Sequence, residues 1–159
     1  MVTDAKLFLI IFSLFISVNA GASTIAINIV ETGTPESRSL YEYTELWEDA
    51  FMDVFFESGF IISNAPVMRF ETKPVIGIFE YLFYDAAEIN RWGVDYIFIT
   101  QLDYTGTLRQ PSEITFIIYR VKTKEIILER KIEGRTYRST REGYDDIKSI
   151  VRGLVPFIR

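Results

Sequence analysis

Hydrophobic positions recur along the chain with two different periods, and the changes of period mark its elements. In "STIAINIVETG", Ser23 to Gly33, apolar Ile25, Ile27 and Ile29 alternate with small or polar residues, and the run ends on glycine. A period of two predicts a first strand. From about Tyr41 to Ser58 the spacing becomes helical. Laid out at about 100° per residue, Tyr43, Trp47, Ala50, Phe51, Val54 and Ser58 gather on one side. Glu45, Asp49 and Asp53 gather opposite, with Glu48 flanking them. Ser39 or Thr44 is the candidate cap, and Gly59 can take the left-handed conformation that closes a helix. "FIIS" then reads as a short strand, and Asn64 to Pro74 as a connection interrupted by prolines. A second helix is predicted from about Ile78 to Trp92, with Phe79, Leu82, Phe83 and Ala86 on its apolar face. Gly93 closes it.

Beyond Gly93, "VDYIFITQLDYTG" starts apolar on both faces, which predicts a central strand covered on two sides. "EITFIIYRV" and "EIILERKIE", joined by the polar "KTK", form the clearest hairpin in the chain. "GRTYRSTREG" reads as a basic loop. A last helix, from about Tyr144, places Tyr144, Ile147, Val151 and Leu154 on one side, and Pro156 should end or kink it. The order of elements predicts one α/β domain: a single sandwich of a mixed β-sheet with a carboxy-terminal β-hairpin and about three helices packed on it.

The amino terminus changes the picture of where such a domain works. Lys6 precedes the apolar run Leu7 to Val18, and small residues follow in "NAGAS". Basic, apolar, then small is the order of a secretory signal peptide. The run is shorter than the roughly 20 residues that span a bilayer. Residues 1–20 are therefore expected to be removed and residues 21–159 to form the exported domain, periplasmic or secreted, with no transmembrane span after cleavage. A buried helix of the mature fold is the competing reading of the run.

Composition then narrows the chemistry. The 159 residues include no cysteine and no histidine, which removes disulfides, thiol nucleophiles, an amino-terminal lipid on cysteine, imidazole bases and the commonest metal ligand. The net charge of −5 is uneven. Residues 21–119 carry 15 acids and 5 bases, net −10, whereas residues 120–159 carry 6 acids and 11 bases, net +5. An acidic majority argues against nucleic acid as a partner.

Within "AAEINRWGVDYIFITQLDYTG", Gly93-Val94-Asp95-Tyr96-Ile97 follows the second predicted helix, as Ser58-Gly59-Phe60 follows the first. In both, glycine ends a helix and an apolar strand enters the sheet. This arrangement resembles the amino-terminal domain of the periplasmic translocation protein TolB, a fold shared with curli-secretion lipoproteins and lipoprotein activators of penicillin-binding proteins. Thr100 stands where that family often has glycine, and the lipid-anchoring cysteine of the lipoproteins is missing. The resemblance implies a non-catalytic bacterial envelope domain that assembles with protein partners.

Catalysis has weak candidates. Glu45 with Asp49, or Asp49 with Asp53, lies one helical turn apart. A hydrolase needs two carboxylates across a substrate, one in an apolar pocket, and acids in a row on a solvated helix meet neither need. No metal-loop spacing, phosphate loop or nucleophile elbow occurs, so no cofactor is implied. Surfaces are better candidates. Met52 and Phe56, four residues apart, fall beside Glu45, Glu48, Asp49 and Asp53, and an acidic rim would steer a basic partner onto them. Cover by this domain's own segment Val67 to Ile78 is the competing reading. Tyr81, Tyr84, Glu88 and Trp92 form a second candidate patch, or pack under a loop. Arg135, Arg138 and Arg141 are candidates for an anion, or a solvated loop. The expected function is an exported, non-enzymatic assembly or adaptor domain, peripheral to an envelope complex for transport, cell-wall or appendage (including flagellar) assembly. A periplasmic small-ligand-binding protein is the first alternative and a carboxylate-dependent hydrolase the second.

Overall fold

The computed structural model describes residues 21–33, 39–72, 93–104 and 110–158. In order they form β1 (Thr24–Thr32), α1 (Ser39–Glu57), β2 (Ile61–Asn64), β3 (Met68–Phe70), β4 (Tyr96–Asp103), β5 (Glu113–Arg120), β6 (Glu125–Glu133), α2 (Thr140–Arg152) and a 3-10 turn, Val155–Ile158. The six strands make one mixed sheet in the order β2-β1-β4-β5-β6, with β3 also pairing β1. β2, β3 and β4 run parallel to β1, while β4, β5 and β6 are successively antiparallel.

The expected α/β fold is observed. Two α-helices lie among the described residues rather than about three; the helix predicted from Ile78 to Trp92 falls outside them. Three local expectations are corrected. Met68–Phe70, read as part of a connection, is the short strand β3, whose three residues give no readable alternation. The last helix begins at Thr140, not near Tyr144, because Ser139 caps it: its hydroxyl accepts from the Glu142 N–H at 3.2 Å. The spacing Ser139-x-x-Glu142 is a capping signal inside the basic run. Finally, α1 starts at Ser39, and Thr44 lies within it rather than at its end.

Both faces of the sheet are apolar, as β4 foretold. On the first face Ile25, Ile27, Ile29, Phe98, Leu102, Ile114, Phe116 and Ile118 pack under Trp47, Phe51, Val54 and Phe55 of α1 and Ile147 and Val151 of α2. Aromatic rings make its centre: Phe98 lies 5.0 Å from Phe51 and 5.3 Å from Phe55, and Trp47 lies 5.5 Å from Phe116. Each such ring, fully buried, contributes about 1.5–3 kcal/mol. On the second face Val30, Val94, Ile97, Ile99, Ile117 and Val121 form a smaller cluster. Helix α1 returns antiparallel to β1 and ends where Gly59, at φ +84°, takes the left-handed conformation and lets Phe60 fold back under Phe55. That reversal brings β2 up beside β1 and beneath one flank of α1.

Candidate functional site

The position of α1 decides what its polar side meets. One flank lies against α2. There Asp53 accepts hydrogen bonds from Tyr144 and, at 3.1 Å, from Lys148, and Glu57 accepts from Lys148 at 3.2 Å and Arg152 at 3.4 Å. The Tyr144 hydroxyl and then Lys148 hold the Asp53 carboxyl below the ordinary carboxylate range; Lys148 and then Arg152 do the same for Glu57. The Asp53 bond in turn raises the Lys148 ammonium and the Tyr144 hydroxyl. Of the acids grouped with Met52 and Phe56, Asp53 is thus engaged within the chain.

The opposite flank leans over β2, where the Asn64 amide donates to Glu48 at 3.2 Å. Between the flanks, Glu45 and Asp49 are exposed. Met52 is 40% exposed and Phe56 77% exposed, so neither belongs to the core. Within the segment weighed as their cover, β3 turns Met68 and Phe70 to the second face of the sheet. Residues 73–78 of that segment lie outside the described residues, as do Tyr81, Tyr84, Glu88 and Trp92. One exposed apolar residue near this surface, on the far side of the sheet from α1, escaped sequence reading: Ile61, 56% exposed, at the start of β2. "FIIS" shows two isoleucines in a strand, and only the register, Ile25 opposite Ile62, says that Ile62 faces the core and Ile61 the other way.

The arginine candidates separate. Arg135 reaches the Asp146 carboxylate with a bond to each oxygen, at 2.7 and 3.0 Å, and Tyr137 donates to the same group at 2.8 Å. Arg138 is exposed before α2, and Arg141 lies in the first turn of α2 rather than in a loop. Tyr137 stacks on Tyr43 with centroids 6.2 Å apart, and burial pushes the Tyr43 hydroxyl up to about 12. Beside this pair an open cleft of about 250 Å³ is lined by Leu46, Gln110, Arg138 and Ser139. The Glu142 carboxylate already accepts from the Arg138 N–H at 2.9 Å, which places negative charge where an anion would enter.

A second polar group, also unforeseen, lies at the carboxy ends of β1 and β3. Glu31 is buried on the helix side of the sheet, accepts from Thr44 of α1, and pairs with Arg69 at 2.6 Å. Glu31 and Arg69 are register partners on neighbouring strands, so the pair ties β3 and α1 to β1. The adjoining depression, about 120 Å³, is lined by Gly33, Phe70 and Tyr104 as well. Among the described residues no group of three or more Asp or Glu side chains could hold a metal ion. Among the described residues Glu45 and Asp49 are both exposed on the helix, in the same solvated setting, which does not divide them into an acid and a base.

No protein-family profile matches the sequence, and no curated protein matches it. Among solved structures, PelC from Paraburkholderia phytofirmans, solved as a dodecamer, is similar at TM-score 0.50 and 11% identity over 87% of this chain and 90% of that one. TolB from Acinetobacter baumannii matches at TM-score 0.44 and 18% identity over 85% of this chain, which spans 29% of TolB. Lipoprotein GNA1162 from Neisseria meningitidis matches at TM-score 0.44 and 10% identity, over 84% of this chain and 99% of that one. The TolB-like and lipoprotein resemblance read from the sequence falls among these matches, and the likeness to PelC is one of fold.

Proposed function

We propose that the chain is an exported, non-enzymatic adaptor of a bacterial envelope complex, and that it docks a basic protein partner on the outer face of α1. The observation that carries this reading is the exposure of Phe56, 77%, beside Met52 on a helix whose neighbouring residues Glu45 and Asp49 are acidic. A large ring held in water next to a methionine is a recurring anchor type at interfaces, and a surrounding ring of like charge sets the sign of the partner. Export rests on the leader-like order of Lys6, Leu7 to Val18 and the small residues after it. PelC, whose fold is similar, forms a dodecamer, which is in keeping with a role in assembly.

Photo-cross-linking tests the reading in the native cell envelope. A photoreactive residue at position 56 should give one stoichiometric protein adduct, and the same residue at position 122, in the turn between β5 and β6, should not. Absence of an adduct from position 56, or equal adducts from both positions, would contradict the assignment.

A further inference from the structure

The exposed face of α1 adjoins the edge strand β2. Among the described residues no strand lies beyond β2, which ends the sheet on that side. Its ladder to β1 fixes which way its backbone points. The Ile61 N–H donates to the Ser23 carbonyl and the Ala65 N–H to the Ile27 carbonyl, each at 3.0 Å. In a parallel pair the N–H and C=O of one residue face the same neighbour, and successive residues alternate. Residues 61, 63 and 65 therefore face β1, and the N–H and C=O groups of Ile62 and Asn64 face outward. Such a row is what an added strand takes up.

Side chains frame this row above and below. On the helix side Glu48 is bonded to Asn64, and the exposed Met52 and Phe56 follow it along α1 at one-turn spacing. On the other side Ile61 and Ser63 are exposed. Free edges are ordinarily guarded by lysine or by charges aimed across them. β2, reading Ile-Ile-Ser-Asn, carries no charge, and Pro66 just beyond it limits the usable row to about four residues. Charge lies on the helix above, on Glu45, Glu48 and Asp49, and further along the same edge on Arg69 of β3, which is paired with Glu31.

We infer that β2 and the outer face of α1 form one docking slot for a short extended segment of a partner protein, which adds to β2 as a strand with basic side chains turned toward α1 and aliphatic ones toward Ile61. This deepens the adaptor reading and rests on it. Alternation along a strand places every second side chain on one face, so a single segment meets the acids above and the isoleucine below.

The test uses a hexapeptide alternating lysine and valine, a copy of it N-methylated at alternate residues, and a glutamate–valine control. At about 1 mM lysine–valine peptide, exchange of the Ile62 and Asn64 amide hydrogens should slow at least about tenfold. The N-methylated copy keeps the charge and side chains but loses the backbone bonds, and should bind at least about tenfold more weakly. Binding should weaken as salt rises, and the control should not bind. Asn64→Pro removes one outward backbone donor that the ladder to β1 does not use, and, measured against Asn64→Ala, which loses the same side-chain bond to Glu48, it should weaken the peptide to a similar degree. Equal binding of the methylated and unmethylated peptides, or no slowing at Ile62 and Asn64, overturns strand addition. If, in addition, the photoreactive residue at position 56 still captures its partner and Asn64→Pro leaves that capture unchanged, the adaptor reading survives without the slot. If sedimentation of the peptide-free protein shows self-association that Asn64→Pro abolishes, the occupant is a second copy of this chain and the inference of a separate partner is wrong.

Discussion

Single residues show where this fold carries its internal costs. Thr100 lies wholly buried at the middle of β4, and its hydroxyl finds no hydrogen-bond partner among the described residues. A buried polar group without a partner carries a desolvation cost, and an isosteric apolar replacement relieves it. Thr100→Val should therefore raise the free energy of unfolding by about 1 kcal/mol in urea titration; a loss of stability would mean that the hydroxyl is bonded after all. Glu31 is the opposite case, since its buried carboxylate is satisfied by Thr44 and Arg69. Arg69→Met strips one of those partners and should cost about 1–3 kcal/mol by the same measurement. An unchanged midpoint would show that the pair does not hold β3 in place. Neither residue was legible as a site in the sequence. The Glu31 partners lie 13 and 38 residues away, and no period along the chain links positions that distant.

At the scale of elements, α1 is amphipathic in three directions rather than two. Trp47, Phe51 and Val54 were readable as its core side from their spacing. Phe55 was not, because its burial depends on Phe60 and Phe98 closing around it. The acidic side divides because α2 lies along one flank and takes Asp53 and Glu57 through Tyr144, Lys148 and Arg152. This docking has a definite pH dependence. Asp53 and Glu57 have depressed values in the folded state, so their contribution is present above the ordinary carboxylate range, about pH 4, and is lost as pH falls through the folded values. Lys148 is raised, so its share is present below about pH 10.4 and is lost as pH rises through its folded value. Lys148→Met should lower the urea midpoint by a constant amount between about pH 5 and 9, and the gap should close toward pH 2. A gap that persisted at the acidic end would mean the lysine acts through packing of its stem alone.

On the scale of the whole molecule, one face of the sheet is sealed by two helices whose adjoining flanks share charge, while among the described residues no further element lies on the outer face of α1 or beside the edge of β2. The architecture was legible because local periods write it: alternation for β1, two-sided apolarity for β4, paired β-branched runs for β5 and β6. β3 was not legible, since three residues between prolines carry no period, and neither was the start of α2, where basic residues mask a capping pair. Exposure of Met52 and Phe56 was undecidable in the sequence for a different reason: it depends on what the rest of the chain fails to cover. Their role is therefore the claim to test most directly, by measuring stability and partner recovery on the same double variant, Met52→Ser with Phe56→Ser. An exposed docking pair predicts an unfolding free energy within about 0.5 kcal/mol of the parent, as for surface substitutions, together with loss of the envelope partner. Destabilisation by several kcal/mol, as when core side chains of about this size are truncated, or undiminished recovery of the partner from a stable variant, would contradict it.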